Sequence, residues 1–227
     1  MSFVLVLGRY GECIMAMQWI WLSGFATNLG FWEEDLVEVN SNATHTFVSY
    51  MKVIENPDDL YSSIPGLAKA DVVVACDLAA QALVLSTKAR PQGQKWMFLA
   101  PMINFCEGEE GWPKSQAVLM AKAMVKNTKA ALQSYMEMMG PCDESIQEDW
   151  MEQALKMPPS SLAKGLEYLA QATVLEEPIH LENTEMFFGR EDQLVTPTYA
   201  NKVKSLLLGT TSQERIKSGH WAHTLLF

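Results

Sequence analysis

The chain has 227 residues, 48% of them hydrophobic, enough for one well-packed core or one core carrying an inserted subdomain, and too few for two independent domains. Its 17 lysines and arginines stand against 27 aspartates and glutamates, a formal net charge of -10 with no basic cluster to offset it. Such a surface repels nucleic acid and anionic lipid, so neither is expected as a partner. The four cysteines, Cys13, Cys76, Cys106 and Cys142, show no CxxC spacing and read as free thiols of a reducing compartment. Residues 1–7 are apolar but lack a cationic flank, and no apolar run approaches the roughly 18 residues that span a bilayer. A cytoplasmic protein is expected.

In chain order, short runs rich in β-branched and aromatic residues predict buried strands at 19–22, 46–53, 72–75, 96–99 and 185–188, with a short one at 215–216. Helical patterns follow at 77–88 and 197–208. The alternation predicts βαβ units, hence an α/β fold with a mostly parallel sheet. Between 104 and 178 strand signals vanish. One helix is predicted over 115–139, closed by Gly140 and Pro141, another over 143–157, ended by Pro158 and Pro159, and a third over 161–173. The domain reading is therefore a core of 1–103 and 179–227 with a helical cap, or lid, inserted at 104–178.

The segment Ala75-Cys76-Asp77-Leu78-Ala79 carries the most chemical information. It follows a buried strand and precedes a helix, and it has small residues two before and two after the central position. That is the pattern of a nucleophile elbow, in which a strand turns sharply into a helix and crowds its flanks, with aspartate where serine is usual. Asp77 as a plain helix N-cap explains the aspartate but not the small flanks. Cys76 at the tip would place Val74 and Leu78 in the crowded positions, where both are too bulky.

The remaining parts occur in the order that elbow chemistry requires. Ser23-Gly24-Phe25 follows the first strand, so the Phe25 backbone N–H, with that of Leu78, is a candidate oxyanion hole. Asp192, in Gly189-Arg190-Glu191-Asp192-Gln193, is the candidate acid, and His220, in Ser218-Gly219-His220, the candidate base that it orients. His45, His180 and His223 have no ligand partners at metal spacing, so neither a metal nor a cofactor is expected.

With these residues in view the chain resembles the α/β-hydrolase carboxylesterases of biotin synthesis, the pimeloyl carrier-protein methyl ester esterases of BioH type. The similarity runs from about Trp19 to His220. It rests on Leu22-Ser23-Gly24-Phe25, Glu110-Gly111-Trp112-Pro113, Gly165-Leu166-Glu167-Tyr168-Leu169, Phe188 to Val195 and the loop at His220. The resemblance implies an α/β-hydrolase fold with a helical cap, a cytoplasmic carboxylesterase-like activity, and the acid and base roles of Asp192 and His220. The chain departs from the family in lacking the elbow serine, in having Ser23 in place of histidine, in lacking the Gly-rich loop after the second strand, and in a shortened segment after His220. Residues 104–178 hold six lysines, no arginine and twelve acidic residues, six negative charges in excess. An acidic acyl carrier protein is therefore not expected to dock there, and the expected partner is a small molecule.

A carboxylate at the elbow leaves three routes open. It can attack an sp³ carbon and form an alkyl ester that His220-activated water hydrolyses, as the elbow aspartate does in haloalkane dehalogenases and epoxide hydrolases. It can act as a general base on water. Or the fold persists as a binding or scaffold module without catalysis. The leading expectation is a hydrolase of a small apolar ester or related substrate, with Asp77, Asp192 and His220 as its catalytic residues.

Overall fold

The computed structural model describes residues 6–7, 13–14 and 16–227. Six strands form one sheet: β1 (Gln18–Leu22), β2 (Thr44–Val48), β3 (Val72–Cys76), β4 (Lys95–Leu99), β5 (Thr184–Gly189) and β6 (Thr211–Arg215). Their spatial order is β2-β1-β3-β4-β5-β6 and every pairing is parallel. The middle strand β3, Val72-Val73-Val74-Ala75-Cys76, is buried at every position, as a parallel strand covered on both faces must be. The edge strands β2 and β6 carry the polar, exposed residues that discourage further pairing. After β2 the chain crosses back to the other side of β1, so the strand order reverses between β1 and β3. In parallel sheets the crevice at the carboxyl ends of two such strands is where ligands bind.

The helices are α1 (Tyr50–Glu55), α2 (Leu78–Leu85), α3 (Lys114–Lys126), α4 (Thr128–Met138), α5 (Glu144–Leu155), α6 (Pro159–Gln171), α7 (Pro197–Leu206) and α8 (Ala222–Leu226), with shorter turns between them. Four predicted elements differ from what forms. The expected strand over 46–53 is split: β2 ends at Val48, and Ser49 caps α1 by accepting the Met51 N–H at 3.2 Å, which turns Tyr50 and Val53 onto one buried face. The expected helix over 115–139 is two. Asn127 leaves the helical region at φ -153° and ψ 80°, and its side chain caps α4 by accepting the Ala130 N–H at 3.3 Å. The last predicted helix stops at Leu206, because Leu207–Leu208 pairs in parallel with Ile179–His180. The final strand also lies earlier than expected, at Thr211–Arg215. The expectation for Cys13 falls on a side chain outside the described residues.

Helices α3 to α6 form a block between β4 and β5, with α3 lying along α6. The block is fastened to the sheet at the loop after β1. Gln153 of α5 accepts the Asn28 N–H at 2.8 Å and donates to the Ala26 carbonyl at 3.3 Å, and the Trp150 indole donates to Thr27 Oγ1 at 3.1 Å. Tyr135 of α4 meets Phe25 edge-on at 4.8 Å and stacks on Trp150 at 6.3 Å, contacts worth roughly 1 kcal/mol each beyond their burial. No helix among the described residues is long and apolar enough to cross a membrane.

Candidate active site

Asp77 sits at the turn from β3 into α2, with φ 37° and ψ -108°. A non-glycine residue in that region costs about 1–3 kcal/mol and persists only where its surroundings fix it. They do so here. The Asp77 N–H donates to the Leu99 carbonyl at 3.0 Å, and its own carbonyl accepts from Ala80 at 3.2 Å and Met102 at 3.1 Å. Ala75 and Ala79 on either side are completely buried, so any larger side chain would displace neighbouring structure.

The Asp77 side chain points back toward the loop after β1. The Phe25 N–H donates to both carboxylate oxygens, Oδ1 at 3.0 Å and Oδ2 at 2.9 Å, and the Leu78 N–H donates to Oδ1. The two backbone donors expected to form an oxyanion hole both point at the carboxylate of Asp77, which fills them. Gly24 is required by this approach: a Cβ there would overlap Asp77 Oδ2.

Asp192 lies in the loop after β5. Its Oδ1 accepts the N–H groups of Leu194 at 2.8 Å and Val195 at 2.9 Å, which leaves Oδ2 for His220 Nδ1 at 2.6 Å. The far nitrogen of His220, Nε2, stands 3.6 Å from Asp77 Oδ2, close enough for charge attraction and too far for a hydrogen bond. Burial alone would favour a neutral imidazole, yet Asp192 and Asp77 outweigh it and raise the His220 pKa to about 10. At neutral pH the site is an imidazolium held between two carboxylates.

Both loops are held by the end of α4. The His220 N–H donates to the Met139 carbonyl at 2.6 Å, the Gln193 N–H to the Met138 carbonyl at 3.1 Å, and the Trp221 indole to the Gly140 carbonyl at 3.0 Å. A Cβ on Gly219 would overlap the Met139 carbonyl, so these backbones approach as closely as glycine permits. Cys76 lies beside the elbow, where burial, and behind it the charge of Asp77, pushes its thiol far above the usual range and keeps it protonated.

A cleft opens over Asp77 and His220, so narrow that it holds little more than a water molecule. Beyond those two residues it is lined by Thr27, Trp32, Met139, Trp150, Trp221 and His223 among others. Sequence reasoning placed no function on Trp32 and only set His223 aside as a metal ligand. The one available signal was the position of Trp32, seven residues after Phe25 in the same loop region.

Among solved structures, an esterase from Exiguobacterium antarcticum superposes with a TM-score of 0.72 at 10% identity, over 96% of this chain and 92% of that one. The fold is that of the α/β-hydrolases. A hydrolase from Oleispira antarctica gives 0.71 at 10% identity over 92% and 85% of the two chains, and a carboxylesterase from Bacillus subtilis 0.59 at 12% over 90% and 77%. No family model and no curated protein matches this sequence. In the α/β-hydrolase order, strand-turn elements β1, β3 and β5 and the loop after β6 supply Phe25, Asp77, Asp192 and His220 in turn.

Proposed function

We propose that the protein is a carboxylesterase-like hydrolase acting on a small apolar ester or related substrate, with Asp77 as nucleophile at an alkyl carbon. The placement of the Asp77 oxygens supports this reading: Oδ1 accepts from both the Phe25 and Leu78 N–H groups, while Oδ2 shares only the Phe25 N–H and is the oxygen that faces His220. Attack at a carbonyl carbon would demand those same N–H groups for the substrate oxyanion and would yield a mixed anhydride. Attack by Oδ2 on an sp³ carbon demands neither. A carbon–oxygen bond forms, and the leaving group departs with the electron pair of the bond that breaks.

Once esterified, Asp77 is neutral, so His220 loses one of the two charges that hold it protonated and its pKa falls. After its proton passes to the leaving group, His220 is free to take one from water. Water attacks the Asp77 carboxyl carbon, and the charge that develops on Oδ1 is met by the waiting Phe25 and Leu78 N–H groups. Collapse releases the alcohol and restores the carboxylate. Asp192 holds His220 in orientation throughout. The BioH-type resemblance supports a small ester as substrate, and the acidic helical block argues against delivery by an acyl carrier protein.

A second reading, a ligand-binding protein without turnover, is favoured by one observation: the Asp77 carboxylate already fills the backbone donor pair that chemistry at an ester carbonyl would need. The two readings separate in a His220→Gln variant exposed to 1,2-epoxybutane or 1-bromobutane. The nucleophile reading expects a stable alkyl adduct on the peptide carrying Asp77, detected by mass spectrometry and absent in Asp77→Asn. No adduct on Asp77 with either reagent, together with no turnover by the native protein, leaves the binding reading.

A further inference from the structure

Helix α2 reads Leu78-Ala79-Ala80-Gln81-Ala82-Leu83-Val84-Leu85, and Gln81 is the one polar residue in it, buried like its neighbours. A buried glutamine gives up about 1.5–2 kcal/mol of rotamer freedom, and more if its amide finds no partner, so the bonds it makes explain its place in an apolar helix. Its Oε1 accepts the Asn104 N–H at 2.7 Å, and its Nε2 donates to the Thr173 carbonyl at 2.8 Å. Asn104, also buried, uses its own amide in the same way: Nδ2 donates to the Leu175 carbonyl and Oδ1 accepts the Leu175 N–H, both at 2.8 Å. Its φ of 55° is one that asparagine adopts more readily than most residues.

These two amides stand at a crossing point. The chain leaves the sheet for the helical block through residue 104 and returns through residues 173–175, so the four bonds close the two stems of the block on each other and on α2. The first stem also reaches the elbow. Between Ala100 and Asn104, both at positive φ, the Met102 N–H donates to the Asp77 carbonyl at 3.1 Å. Asp77 itself stands one turn before Gln81, on the same side of α2. A strained residue such as Asp77, at φ 37°, relaxes when a bond that fixes it is loosened.

We propose that Gln81 and Asn104 are positioning residues for Asp77: their paired amides lock the stem at 100–104 against the elbow, and through it hold the Asp77 carboxylate in register with the Phe25 N–H and His220. Neither side chain lines the cleft over Asp77 and His220, so both act through the backbone. The functional weight of this latch rests on Asp77 being the reacting group, as proposed above; the mechanical coupling does not.

The test compares Gln81→Met, which keeps the length of the side chain and removes both of its bonds, with Arg90→Met, a control at the opposite end of the sheet. Arg90 donates to Thr184 Oγ1 and to the Gln94 and Asn183 carbonyls where β4 and β5 begin, so its loss lowers stability without touching the stems. Hydrogen exchange is read at the Phe25, Leu78 and Met102 N–H groups, which all donate to Asp77, and the His220 ring is titrated by NMR. In Gln81→Met the three amides are expected to exchange about 10-fold faster than in Arg90→Met at matched stability. The His220 midpoint is expected to fall by about one pH unit from its raised value, the scale of an aspartate withdrawn by roughly 2 Å. Asn104→Gly, whose backbone suits glycine, removes only the Leu175 bonds and is expected to move both readouts the same way by less, and it decides alone if Gln81→Met does not fold. If both variants match Arg90→Met in exchange and in the His220 midpoint, the two amides serve stability only and the proposal is overturned. If His220 of the native protein titrates at its ordinary value, the reading of the charged centre fails instead, and the amide exchange by itself upholds or overturns the latch.

Discussion

Asp77 meets two demands that usually fall on separate groups: it stands at the elbow, and its carboxylate occupies the donors opposite. The sequence placed Asp77, Asp192 and His220 because order along the chain and small flanking residues constrain the backbone. It did not place the carboxylate in the donor pair, since that depends on a side-chain rotamer and on Gly24 leaving room for it. Trp32 was illegible for a similar reason, because a lone tryptophan after a glycine-containing loop reads as core until it is found lining the cleft. Replacing Asp77 by serine removes the internal occupant and leaves His220 and Asp192 in place. Asp77→Ser is expected to hydrolyse p-nitrophenyl acetate on the order of 10²-fold faster than the native protein, the scale of a positioned general base, and to lose that gain when His220→Ala is added. Equal rates for native and Asp77→Ser proteins would show that the donor pair is not what blocks carbonyl chemistry.

Among the elements, the four inner strands were read well because both-face burial makes continuous apolar runs, whereas the exposed edge strands were placed a few residues off and the two helix starts at Ser49 and Asn127 were missed. Each is decided by one short side chain accepting a backbone N–H, a local bond that outweighs the apolar pattern continuing through it. The join between α5 and the loop after β1 depends on another such side chain, Gln153. Truncation by Gln153→Ala strands the Ala26 carbonyl and the Asn28 N–H, and is expected to destabilise the protein by about 1–3 kcal/mol. Hydrogen exchange should speed up together at the loop after β1 and in α5. Faster exchange in α5 alone would mean that the loop holds its shape without the helical block.

For the molecule as a whole, the buried imidazolium ties stability to pH. The His220 pKa is raised on folding from about 6.5 to about 10, so its contribution is complete below the unfolded value and drains away as pH rises through the folded one. The Tm of the native protein is expected to fall between pH 7 and pH 10 more steeply than that of His220→Gln. Parallel curves for the two would show that the two aspartates do not hold the proton. At this scale the parallel α/β architecture was readable from alternation alone, while the seating of the helical block on the sheet arises from contacts between distant segments that no local pattern records.

The carbonyls of Met138, Met139 and Gly140 at the end of α4 accept from Gln193, His220 and Trp221, so the roof of the cavity and the loops bearing acid and base are one mechanical piece. Swinging the helices away would tear out those three bonds and disorient His220 before anything could enter. Traffic must instead pass by rotation of side chains such as Trp32 and Met139, which favours slender molecules and makes the rate of exchange a property of a few rotamers.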